Sequence, residues 1–195
     1  MIQPCTLTTP TPTPRRASAP PPTSEGLGDC FEKAARWVAG KVVGVVFGTS
    51  GLVANAAAGG ARGTLHAARV ESNHQELLFQ AGMTANMAAL GALGGGPAGA
   101  VLGVAGGHLL WRIQGEKVRE RVLTKSDQWV DKVLEKLPGD PDQAGRLRRV
   151  ANGVVGEVVG TAAGAVGGTF AMFEQGEQYG QSLFDEMTGK EPPQG

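Results

Sequence analysis

The side chains of this sequence that could carry chemistry are few and scattered. His66 and His74 stand eight residues apart, a spacing that can put both on one helix face. Two imidazoles without a third ligand make a poor metal site, and none is expected here. His108 closes an uncharged stretch, as a packed or interfacial histidine would. Glu157 is the one charge within residues 150–173, where it either lines a polar path or faces water. Cys5 and Cys30 are the only cysteines, and Cys5 lies in a proline-rich segment, so neither a disulfide nor a metal cluster is expected. The runs GALGGGPAG (91–99) and GAVGG (164–168) invite a phosphate-loop reading, but no Lys-Ser or Lys-Thr follows them and no GxGxxG follows a strand. There is no GxSxG, no HExxH and no carboxylate pair in an apolar setting. These patterns argue against an enzyme, with no catalytic, cofactor-binding or metal-ligating residue expected and no cofactor.

What the sequence does contain is a spacing. Glycine makes up 31 of 195 residues, more than twice the common share of about 7%. It follows no Gly-X-Y period and sits among Val, Ala and Leu. Residues 77–111 carry no Asp, Glu, Lys or Arg, and within them Gly91, Gly95, Gly99, Gly103 and Gly107 recur every fourth residue. Positions four apart share one helix face, so this face is a groove in which another helix backbone can lie. Gly40, Gly44 and Gly48 repeat the spacing before and within the uncharged residues 42–61, and Gly156, Gly160, Gly164 and Gly168 repeat it within 150–173. The pattern resembles the motif class called glycine zippers, which includes membrane-permeabilising bacterial proteins. The fold expected is all-α: a helical bundle of glycine-zipper helices, membrane-associated, behind a disordered Pro/Thr-rich tail.

In chain order, residues 1–24 are rich in Pro, Thr and Ser and hold no acid, which predicts a disordered tail and no apolar signal-peptide core. This acid-free start resembles the N-termini of bacterial type III secretion effectors. The ordered domain expected is 25–188. A first helix is predicted over 25–61, amphipathic at its start, where Trp37 lies among Lys33, Arg36 and Lys41 as at a membrane interface. The central stretch, 77–111, is too long for one upright span of about 20 residues. Pro97 after Gly94-Gly95-Gly96 either kinks a continuous helix or marks the tip of a hairpin; the unbroken glycine spacing favours the kink. Trp111 ends it at an interface. A soluble-type helix over 112–137 sets Val118, Val122, Trp129, Val130, Val133, Leu134 and Leu137 against charges of both signs. A last helix is predicted over 146–187 and a disordered tail over 189–195.

Residues 35–49 and 148–161 align at an offset of 112, with nine identities in fourteen positions from Arg36/Arg148 to Thr49/Thr161. Two similar glycine faces are thereby expected to pack on the central stretch. Three crossings from a cytosol-like N-terminus would place 112–149, with ten Lys and Arg, inside and set Trp37 and Trp111 at one interface. Formal net charge is zero, and the arginines Arg146, Arg148 and Arg149 have no interleaved aromatics, so no nucleic-acid partner is expected. The expected partners are a lipid bilayer, other copies of the chain, and a protein docked on 112–137. The function expected is that of a secreted bacterial effector or toxin-like protein that inserts in a target membrane and permeabilises it, localised to a membrane after secretion. The alternative is a soluble, cytoplasmic helical bundle acting as an interaction or scaffold protein.

Overall fold

The computed structural model describes residues 25–71, 73–140 and 145–189. The predicted tail 1–24 and residues 190–195 lie outside them, as does Cys5. Among the described residues all regular structure is helical: α1 (Glu25–Ser50), α2 (Leu52–Ala67), α3 (Gln75–Ile113), α4 (Glu116–Leu134) and α5 (Arg146–Met187). The helix expected over 25–61 is two helices, bent by 49° between α1 and α2. The cause lies in Thr49-Ser50-Gly51. Thr49 Oγ1 donates back to the carbonyls of Val45 and Val46, and Ser50 Oγ to that of Phe47. Such back-bonding bends a helix, and Gly51 follows with no side chain to hold it straight.

The bent rod α1–α2 lies antiparallel along α5, and glycines line the seam from end to end. A Cβ on Gly176 would sit 2.9 Å from the Cα of Gly44, one on Gly180 3.0 Å from the Cα of Gly40, and one on Gly164 2.7 Å from the Cα of Gly59. Backbone therefore touches backbone. The two repeat copies do not pack on the central stretch as expected; each packs on the other rod. The offset explains the symmetry: Gly44 faces Gly176, and moving both by 112 in opposite senses gives Gly156 and Thr64, the actual neighbourhood of the Gly156–Gly63 contact. Ion pairs close the seam at its far end, where Arg36 reaches the buried Asp185 at 2.6 Å and Lys41 reaches Glu177 at 2.6 Å.

α4 covers the middle of this seam. Its buried line is Val118, Val122, Ser126, Val130 and Leu134, one residue every four. This differs from the expected stripe: Leu137 lies exposed beyond the helix end and Trp129 is half-buried, while Ser126 belongs to the line. Ser126 lies over the Gly59–Gly160 contact of α2 and α5, where a larger side chain would not fit, and its Oγ donates to the Gly59 carbonyl at 2.7 Å. α2 ends at a turn in which Val70 N–H reaches the Leu65 carbonyl and Arg69 N–H that of His66. The left-handed position of this turn, usually glycine, is Arg69 at φ +50°. A side chain there costs about 1–2 kcal/mol.

The seam predicts opposite outcomes for one substitution type. Gly160→Ala places a Cβ against the Gly59 carbonyl and the Ser126 hydroxyl, and loses about 1–3 kcal/mol by overpacking. Gly106→Ala meets nothing within 4 Å and gains about 0.5–1 kcal/mol of helix stability. Denaturant melts of the full chain distinguish them.

Candidate functional site

The central stretch reverses direction. Helical geometry breaks at Gly95 (φ −151°, ψ 21°) and Gly96 (φ 59°, ψ −149°), and Pro97 begins the return. The kinked continuous helix favoured by the spacing does not form, because Gly96 takes a left-handed φ open to glycine and Pro97 supplies the fixed φ of a first helical turn. The result is a hairpin with arms over 75–94 and 97–113. Its glycine face packs on itself: a Cβ on Gly103 would lie 3.1 Å from the Gly91 Cα, Gly91 and Gly99 block each other's Cβ through their carbonyls, and Gly107 is filled by Met87. Gly95, placed among the packing residues by its spacing, stands at the tip with open space around it. The polar groups of the hairpin answer each other. Thr84 Oγ1 lies 2.8 Å from His108 Nε2 and also donates to the Gln80 carbonyl. Phe79 and Trp111 touch near the base, with ring centroids 6.1 Å apart.

One side of the first arm rests on the alanine face of α2, where Ala54, Ala57, Ala58 and Ala61 meet Met83 and Met87. Asn86 Nδ2 donates to the Ala57 carbonyl. Phe79, Leu90, Val104, Leu110 and Trp111 are half-buried against the same cluster, and the rest of the hairpin is open. Only 6% of its most apolar stretch is buried, against 39% for the corresponding stretch of α5. Leu93 is 86% exposed, Leu102 71% and Val101 69%. The same inversion marks the rods: the seam glycines and Ala54, Ala57, Ala58, Ala61, Ala163 and Ala171 are inside, while Val42, Val46, Val150, Val154, Val158 and Phe170 face outward. Two helices, α3 and α5, are long and apolar enough to cross a membrane, and α1–α2 makes a third if the bent pair counts as one.

The remaining predicted residues take these places. Gly40, Gly44 and Gly48 lie under Glu177, Phe173 and Thr169 of α5, while Gly156, Gly160, Gly164 and Gly168 lie under Gly63, Gly59 and Asn55 of α2. Trp37 is half-exposed, with Lys41 Nζ 5.9 Å from its ring centroid. Trp37 sits in the first half of α1, whereas Trp111, near the end of α3, neighbours Phe79 and packs against the alanine cluster of α2. Because α3 reverses at Gly95–Gly96, its two ends, Gln75 and Ile113, return to the same end of the hairpin rather than lying a full span apart. The seam also uses Gly51, Gly59, Gly63, Gly176 and Gly180, which the sequence reading did not single out. Their signal is present: Gly176 and Gly180 continue the four-residue count from Gly168 once Met172 is skipped.

Charge ties α4 to the rods. Arg62 makes a two-pronged contact with Asp127, at 2.9 Å through both Nε and Nη2. His66 Nε2 lies 2.8 Å from Asp131 Oδ1, and Arg121 reaches Glu174 at 2.6 Å. His66 thus belongs to a strut between α2 and α4. Glu157 Oε2 accepts from Thr64 Oγ1 at 2.5 Å. Among the described residues no group of three His, Cys, Asp or Glu is arranged to hold a metal ion. No known protein family, curated protein or solved structure matches this chain.

Two measurements follow. Gly99→Leu forces the arms apart, so spin labels at Leu93→Cys and Val101→Cys, in a chain with Cys5 and Cys30 replaced by Ser, report a longer and broader distance than with Gly99 intact. Asp127→Asn weakens the strut to α2 and lowers stability by about 1 kcal/mol, as read from a denaturant midpoint.

Proposed function

We propose that this chain is a membrane-associating helical protein whose α3 hairpin is the inserting element. The observation that carries this reading is a hairpin without Asp, Glu, Lys or Arg from Leu77 to Trp111, of whose most apolar stretch only 6% is buried. Contiguous exposed apolar surface of this kind marks an interaction site. At 1.5 Å per residue the arms are about 30 and 25 Å long, against a hydrocarbon thickness of about 30 Å. Entry tip-first leaves both charged ends on the side of approach. Glycine faces suit packing in lipid, where close backbone contact replaces the hydrophobic effect, and the Thr84–His108 pair answers its polar groups internally. α5 is the weaker candidate for first entry, since α4 is pinned along it by the Arg121–Glu174 pair.

The acid-free residues 1–24 support the more specific proposal of a secreted bacterial effector or toxin-like protein. Several hairpins meeting in the bilayer would permeabilise it, which makes the active form a homo-oligomer located in a target membrane. A second reading, a soluble interaction or scaffold protein, draws on the ion-paired body: there the charged outer face of α4 offers the partner surface and the hairpin docks on protein rather than lipid.

The test is carbonate extraction of vesicle-bound protein, with dye release from the same vesicles. Val101→Lys with Leu102→Lys costs about 2.5–3.5 kcal/mol per residue at mid-membrane depth. Both side chains are outside the core. The double variant is expected to keep the wild-type melting temperature, wash off the vesicles and release no dye. Retention equal to wild type, or a wild-type chain that never leaves the aqueous phase, overturns the proposal.

A further inference from the structure

A cleft of about 870 Å3 opens where α2 leaves for the hairpin and α5 begins. Three arginines from two elements line it: Arg69 from the end of α2, Arg146 and Arg149 from the first turns of α5. All three are exposed. Arg69 holds its place at φ +50°, in a turn position that glycine would fill without strain. Glu71 and Glu157 also line the cleft, leaving it net positive by one charge, and the carboxylate of Glu157 is engaged by the Thr64 hydroxyl.

The wall between these charges is apolar. Val70, Val150 and Val154 line it beside Gly153, whose missing side chain deepens the floor. Val150 and Val154 are themselves exposed, and the strip runs on along α5 to Val158. Guanidinium groups at one end and a hydrocarbon strip leading away from them match the two halves of an anionic amphiphile. Guanidinium forks pair with phosphate oxygens, and arginine tolerates the partly dry surroundings of a headgroup layer.

We infer that this cleft binds the phosphate headgroup of an anionic phospholipid, with an acyl chain lying along Val150 and Val154. The inference rests on the hairpin reading in one respect: with the hairpin inserted tip-first, its base, and the cleft beside it, lie at headgroup level. The lipid then orients the body against the surface from which the hairpin enters.

The experiment titrates the full chain with monomeric dihexanoyl phosphatidylglycerol, below its micellar concentration, by calorimetry. Saturable binding is expected, weakened about a hundredfold in Arg69→Gln with Arg146→Gln and Arg149→Gln. A control that removes the same charge from α4, Lys117→Gln with Arg119→Gln and Lys125→Gln, stays within about threefold of wild type, because screened charges outside the cleft count little. Glycerol 3-phosphate, which has no chains to cover the valines, binds at least about tenfold more weakly. Equal losses in the two triple variants, or an undiminished affinity in the arginine variant, overturn the inference. So does equal affinity for dihexanoyl phosphatidylcholine. Equal affinity for glycerol 3-phosphate overturns the lipid assignment in favour of a soluble phosphate ester. The Val101→Lys/Leu102→Lys chain separates the two proposals: under this inference it still binds the short-chain lipid. If wild type binds that lipid yet is not retained by vesicles, the hairpin reading falls and the cleft stands.

Discussion

Everything in this protein depends on helix backbones meeting without side chains between them. Along the rod α1–α2 and α5, carbonyl oxygens of one helix occupy the space a Cβ of the other would need, and the two arms of α3 repeat the arrangement. Close approach gains dispersion contact over the whole length of each pair, along with the weak Cα–H to carbonyl contacts that such proximity permits. It also dictates what lies elsewhere. With glycine and alanine filling the seam between the rods, valines and phenylalanines of the rods such as Val42, Val46, Val154, Val158 and Phe170 face outward, while Val118, Val122, Val130 and Leu134 of α4 close over the seam from above. Among the described residues the largest fully buried side chains are Met83 and Met87, which meet the alanines of α2 and Val122 of α4.

Such an interior tolerates little variation in size. Ser126 illustrates the limit: it is the only polar member of the buried line of α4, and its hydroxyl both fits above the Gly59–Gly160 crossing and answers a carbonyl there. A longer residue would lift α4 from the seam, and alanine would leave that carbonyl without its extra donor. The ion pairs serve a complementary purpose. Glycine faces are smooth and slide easily, whereas Arg62–Asp127 and Arg36–Asp185 pin the sliding coordinate at two separated points.

The spacing of glycines was legible in the sequence, and with it the all-helical architecture and the faces that could pack. Which face meets which was not. Glycine carries no side chain whose shape could specify a partner, so Gly44 and Gly156 read alike although one sits under Phe173 and the other under Gly63. The reversal at Gly95–Gly96 was hidden for the same reason: a four-residue spacing that continues through a tip looks identical to one that continues through a helix, and only the left-handed φ of Gly96 tells them apart. The bend at Gly51 had a visible cause in Thr49 and Ser50, but it rests on hydrogen bonds that compete with ordinary helix propagation. The cleft was out of reach, since its arginines come together only through the antiparallel docking of segments some eighty residues apart.

The tip of the hairpin carries a consequence of its own. Gly94, Gly95, Gly96 and Pro97 bear no charge and no hydrogen-bonding side chain, and the arms behind them contain no permanent charge as far as Leu77 and Trp111. A segment of this kind can be threaded into a low-dielectric slab without any elementary charge moving through the electric field across it. Entry would therefore draw nothing from a transmembrane voltage and be resisted by none, leaving the direction of approach, rather than the polarity of the target, to decide which way the body faces.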